Sequence, residues 1–126
     1  MRYKFRGKRW DREWVYGYPL EKFQEIDGEP RIVIDTCRTF ANNGYHSLEQ
    51  YEVIPESVGQ WTGLVDRHGK EIYEGDVLRC SDGEILGVEF DKRTAQFTAK
   101  TRWLWTMIDV CEVIGNLFDN GGLYDR

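Results

Sequence analysis

The feature that most constrains this chain is the dipeptide Asp82–Gly83 in "SDGE", set between two runs of extended character, "KEIYEGDVLRC" and "EILGVEFD". Asp-Gly readily supplies the positive φ of a tight two-residue turn, so the second run must fold back on the first as an antiparallel partner. In that returning strand Leu86, Val88 and Phe90 share a face. The "KRT" turn then leads into "AQFTAKTRWLW", where Ala95, Phe97, Ala99, Thr101, Trp103 and Trp105 fall on one side and Gln96, Thr98, Lys100 and Arg102 on the other. A period of two over that length predicts one long half-buried strand or two bent ones. A sheet built by successive hairpins is the only economical use of such a sequence.

The remainder fits the same plan. In "MRYKFRGK" every second residue is basic, which is the pattern of a strand with one wet face. A turn around Asp11 and Arg12 leads to a second strand, "EWVYGY", ended by Pro19. "LEKFQEI" suits a short helical turn as well as a loop. After the turn residues of "DGEP", "RIVIDTC" is a β-branched strand. Asn42, Asn43 and Gly44 predict a loop, with Ser47 and Gln50 spaced like a weak helix-capping box. "YEVIPESVGQWTGL" predicts two extended pieces broken at Pro55, "DRHG" a turn, and "CEVIGNLF" a closing strand. There are no internal repeats and no linker-like tract. The expected fold is mainly β: a curled antiparallel sheet or partly open barrel of short strands, with one or two short helices, in a single domain over residues 1–126.

Composition narrows the functional classes. A hydrophobic fraction of 40% with 14% aromatic residues excludes a disordered chain. No leader-like or membrane-length apolar run is present, so a cytoplasmic protein is expected, with no membrane partner. Cys37, Cys80 and Cys111 are odd in number and far apart, without zinc or redox spacing, and three reduced, mostly buried thiols are expected. The net charge of −5 conceals a basic start: residues 1–14 hold six basic and two acidic side chains, +4, leaving −9 on the rest. An acidic body argues against a general nucleic-acid binder.

Several constellations invite a chemical reading. "DRHGKEIYEGD" packs His68, Glu71, Glu74 and Asp76 between glycines, yet it lacks EF-hand spacing, and on a strand Glu71 faces away from Glu74 and Asp76. The expected role is architectural: a turn at "DRHG", solvated Glu71 and Glu74, and a bend at Gly75 where Asp76 accepts backbone N–H groups. His46 and His68 sit in loops, Ser47, Ser57 and Ser81 lack a nucleophile elbow, and "GNLFDNGG" lacks the spacing of a phosphate loop. No catalytic residue, cofactor or metal is therefore expected. The binding candidates are the basic strand and its aromatics: Arg2, Lys4, Arg6, Lys8, Arg9, Trp10 and Trp14.

Three stretches, "KFRGKRWDREWVYG", "VIPESVGQWTGLVDRHGKEIYEGDVLRC" and "EVIGNLFDN", occur in an order that resembles the YopX-like proteins of bacteriophages and prophages. That resemblance implies a phage or prophage origin, a bacterial cytoplasm and self-association, but no reaction. The function expected is non-enzymatic binding of a protein, either a second copy of the chain or a host or phage protein. A single-stranded nucleic acid held by the N-terminal basic strand is the alternative. A metal-dependent hydrolase is the remote one.

Overall fold

The computed structural model describes residues 4–23, 28, 30–42, 45–100 and 102–120, and the chain gathers into two compact units, Met1–Gln60 and Trp61–Arg126. The described residues are mainly β, in two antiparallel sheets, neither of which closes into a barrel. No helix among them is long and apolar enough to cross a membrane.

The first unit contains β1 (Phe5–Lys8), β2 (Trp14–Phe23), β3 (Pro30–Asn42) and β4 (Tyr45–Glu52), side by side in the order β4-β3-β2-β1. Gly59 and Gln60, the start of β5 (Gly59–Val65), pair with Arg6 and Phe5 at the β1 edge. Alternation in β1 sets Arg6 opposite Tyr16 and Lys8 opposite Trp14. Pro19 does not end the second strand: β2 runs on to Phe23, pairing Pro19 with Ile34 and Phe23 with Pro30. Among the described residues its pairing with β1 stops at Gly17, and Pro19 keeps its place in the ladder with β3. "LEKF" is thereby strand, and Ser47 and Gln50 lie within β4 instead of capping a helix.

A tight backbone fit joins β2 to β3. A Cβ at Gly17 would lie 2.0 Å from the carbonyl oxygen of Asp35, so only glycine permits this approach. The other end of the unit is closed by a turn of 3-10 helix at Pro55–Ser57. There Ile54 N–H donates to Lys8 O (2.8 Å), Lys8 N–H to Ser57 Oγ (2.7 Å), and the Ser57 hydroxyl to Ile54 O (2.6 Å). Ile34, Val53 and Ile54 are the buried aliphatic side chains described in this unit.

In the second unit the rest of β5 pairs with β6 (Glu71–Tyr73), and a five-stranded sheet follows. Its strands are β7 (Asp76–Cys80), β8 (Ile85–Asp91), β9 (Gln96–Ala99), β10 (Arg102–Trp103) and β11 (Cys111–Asn116), in the order β10-β9-β8-β7-β11. The "SDGE" hairpin forms, but as a three-residue loop: Gly83 N–H donates to Cys80 O (2.8 Å), Gly83 takes φ 88°, and Cys80 N–H closes on Glu84 O (2.9 Å). Here Ser81 and Asp82 fill an ordinary turn and glycine supplies the left-handed residue after it. "AQFTAKTRWLW" is two bent strands. With Lys100 at φ 63° the chain reverses, so Trp103 pairs with Thr98 and shares its face, not that of Phe97.

Ile72, Leu78, Leu86, Val88, Ala99, Leu104 and Met107 form one buried cluster with Cys80 and Cys111. These two cysteines are direct cross-strand partners of β7 and β11 and are joined as a disulfide, Cα to Cα 4.1 Å. The expected trio of reduced thiols is corrected on this point, because register brings together residues that lie 31 apart in sequence. Two turns of 3-10 helix, Leu104–Thr106 and Ile108–Val110, lead into β11, and a four-residue helix α1 (Leu117–Asn120) follows it.

Candidate functional site

The basic residues of the N-terminal strand fall on a face that their own rings occupy. Arg6 lies over the Trp14 ring at 4.7 Å and Lys8 at 5.6 Å, while Arg9 lies over Tyr51 at 4.4 Å and pairs with Asp11 at 2.9 Å. For Arg6 and Lys8 these cation–π contacts follow from the register, which puts Lys8 across from Trp14 and Arg6 beside it. Lys8 is buried, Lys4 and Trp14 are half-buried, and Trp10 is 63% exposed at the turn. Arg2 lies outside the described residues, as does the side chain of His46.

Beside these rings is a cavity of about 220 Å³ lined by Trp14, Tyr16, Thr36, Glu49 and Tyr51. Glu49 organises it: the Tyr51 hydroxyl donates to one carboxylate oxygen (2.7 Å) and the Thr36 hydroxyl to the other (3.0 Å). The hydrogen bond to Glu49 is the main reason why the Tyr51 phenol is raised above its usual pKa. Glu49 accepts from both hydroxyls at once and so fixes the Tyr51 ring beside Thr36.

The sequence reading missed the outer face of β2. Tyr16, Tyr18 and Leu20 alternate along the strand and are 48%, 37% and 42% exposed. Across the sheet from Tyr18 and Leu20 lie Asp35 and Val33, and beyond them Gln50 and Glu52. On this face Lys22 bonds the Gln50 amide oxygen, Gln50 donates to Asp35 (3.2 Å), and Arg31 pairs with Glu52 at 3.4 Å. An apolar stripe thus runs through a field of charges of both signs. The signal was present in "YGYPL", but ending the strand at Pro19 removed Leu20 from the alternation.

The "DRHGKEIYEGD" segment behaves as architecture. Asp76 is buried and accepts the Tyr73 N–H (2.7 Å) across the Gly75 turn, where φ is 90°. The more heavily used carboxylate is Asp66, which accepts the N–H groups of His68 (2.8 Å) and Lys70 (2.9 Å) on one oxygen and that of Val113 (2.9 Å) on the other. Burial pushes Asp66 upward, but these backbone donors outweigh it and hold the carboxyl below the usual carboxylate range. His68 is exposed and its Nε2 lies 3.1 Å from Glu112, which also takes Arg79 at 2.7 Å and Arg67 at 3.5 Å. Chiefly through Arg79, Glu112 too is held below its usual value. Glu71 and Glu74 are half-buried. Among the described residues no three His, Cys, Asp or Glu side chains converge as metal ligands would.

Comparison with known proteins agrees with the three sequence stretches. The model of a family described as YopX protein matches residues 4–125. Among solved structures, the crystal structure of protein EF1440 from Enterococcus faecalis superposes with a TM-score of 0.63 at 21% identity, covering 98% of each chain. That likeness establishes a shared fold. No curated protein matches the chain.

Proposed function

The chain belongs to the YopX family, and we propose that it is a non-enzymatic binding protein of phage or prophage origin whose first partner is a second copy of itself. The observation that carries this reading is the exposed stripe Tyr16–Tyr18–Leu20 on β2. Three large apolar side chains in line on a rigid strand form a contact surface with little ordering entropy left to lose. The charges around the stripe favour a like copy. Lys22 and Arg31 stand among Asp35 and Glu52, so a like copy can bring opposite signs to them across a two-fold axis. The basic strand is a weaker docking candidate, because Arg6, Lys8 and Arg9 already cover the chain's own rings.

Light scattering on a size-exclusion column tests the reading. The expected mass is twice the 14.9 kDa of the chain, falling to one copy in a Tyr18→Lys, Leu20→Lys double variant whose melting temperature stays close to that of the parent. A parent protein that remains monomeric at about 100 μM, well above the Kd of a stable dimer, would remove self-association. A host or phage protein would then be the occupant of the stripe, and the same double variant should fail to retain it.

A further inference from the structure

A second surface, on the outer face of β8, β9 and β10, has a different chemistry. Cross-strand pairing sets Glu89, Thr98 and Trp103 in one row on the face opposite the buried Val88 and Ala99, with Glu89 and Trp103 exposed and Thr98 buried between them. This row floors a groove of about 630 Å³. The Trp103 and Trp105 rings are 45% and 59% exposed and lie nearly parallel, 22° apart with centroids at 6.3 Å. At the hairpin tip Lys92 and Arg93 make no ion pair among the described residues, whereas Lys100 and Arg102 are both bound to Glu84 (2.8 and 2.7 Å). The Asp91 carboxylate is engaged by the Arg93 backbone N–H (2.9 Å) and lies below its usual pKa chiefly for that reason.

We propose that this groove, together with the Trp105 ring just outside its lining, binds single-stranded nucleic acid, with one base in the groove on Trp103, the next on Trp105 and the phosphates against Lys92 and Arg93. Flat exposed rings beside cations outside any ion pair at hydrogen-bond distance are the two elements that single-strand sites share, and a groove of this volume admits one unstacked nucleotide but no duplex. Glu89 adds selectivity. As an acceptor on the groove floor it suits the N4 amino group of cytosine, where thymine presents a carbonyl oxygen instead. The net charge of −5 opposes a phosphate chain, so the rings carry most of the affinity and salt weakens the remainder. Two phosphate contacts predict a slope of log affinity on log salt of about −1.4.

Fluorescence anisotropy with labelled 12-nucleotide oligodeoxycytidine and oligothymidine is the test. Oligodeoxycytidine should bind more tightly by about fivefold, the lower end of a base contact. Trp103→Ala should weaken it by about tenfold or more, Lys92→Glu with Arg93→Glu should abolish it, and Glu89→Gln should remove the preference between the two strands while binding persists. Lack of binding to either strand at about 50 mM salt, or binding untouched by the Trp103 and hairpin-tip variants, overturns the proposal. So does deoxycytidine monophosphate binding as tightly as the 12-mer, since the site would then serve a free nucleotide. If Trp103→Ala instead breaks up a dimer while no oligonucleotide binds, Trp103 is a protein contact and the proposal fails. The Tyr18→Lys, Leu20→Lys variant should keep its oligonucleotide affinity, which separates a failure here from a failure of the β2 stripe.

Discussion

The two units hold themselves together by different means. In the second, seven hydrophobic side chains and a disulfide pack into one buried cluster under the five-stranded sheet. In the first, the described buried aliphatics are Ile34, Val53 and Ile54, and much of the fit is backbone against neighbour: Gly17 against the Asp35 carbonyl, and Gly7 with its missing Cβ 2.9 Å from the Val53 side chain. Apolar area that a sheet does not bury internally remains available outside, and Tyr16, Tyr18 and Leu20 are where the first unit presents it. Among the described residues the second unit is built around its own interior, while the first leaves an apolar stripe exposed on β2.

The sharpest way to break that contrast is Gly17→Ala. Contact at 2.0 Å with a backbone oxygen has no side chain to swing aside, so β2 and β3 must separate. The expected cost is about 4 kcal/mol, in the range reserved for strain that cannot relax. A urea midpoint that hardly moves would show that the first unit does not depend on this backbone fit. Next in size is the disulfide. Closing a loop of 31 residues stabilises by about 3 to 4 kcal/mol through the unfolded chain. Reduction, or Cys80→Ser with Cys111→Ser, should therefore lower the unfolding midpoint of the second unit, with peptide mapping after alkylation confirming the 80–111 link. If the first unit loses as much stability, the two halves are not held separately.

Much of this arrangement can be read in the chain, and what cannot is physical in origin. Turn chemistry marked the hairpin at Asp82–Gly83 and the bend at Gly75, since positive φ needs particular residues and leaves a local signature. Pro19 misled because the rule against proline in strands depends on where the ladder's hydrogen bonds fall, a property of the fold and not of the peptide. Trp103 was placed on the wrong face because a reversal at Lys100, a residue with no special preference for left-handed φ, resets the alternation. The disulfide depends on register between strands separated by the whole β8–β10 excursion. The cations of β1 were visible as charge, but whether a charge is available depends on what lies across the strand, and Trp14 and Tyr51 lie there.

Asp66 gives the smallest effect and the one with a defined pH signature. Its carboxylate fastens the turn at Asp66–Lys70 to β11 through three backbone N–H groups, all within the second unit. Its folded pKa lies below the unfolded value near 3.9, so the folded state takes up the proton less readily than the unfolded chain does. The contribution is therefore complete above about pH 5 and is lost as pH falls through the folded pKa. Asp66→Asn keeps one acceptor oxygen and no charge, and should cost about 2 kcal/mol at neutral pH. As chemical denaturation is repeated, the gap between parent and variant should hold from about pH 6 to about pH 5 and narrow from there down to about pH 3. A gap of constant width would mean that the carboxylate acts by shape alone. A gap in the melting of the first unit would mean that the turn it fastens is not confined to the second.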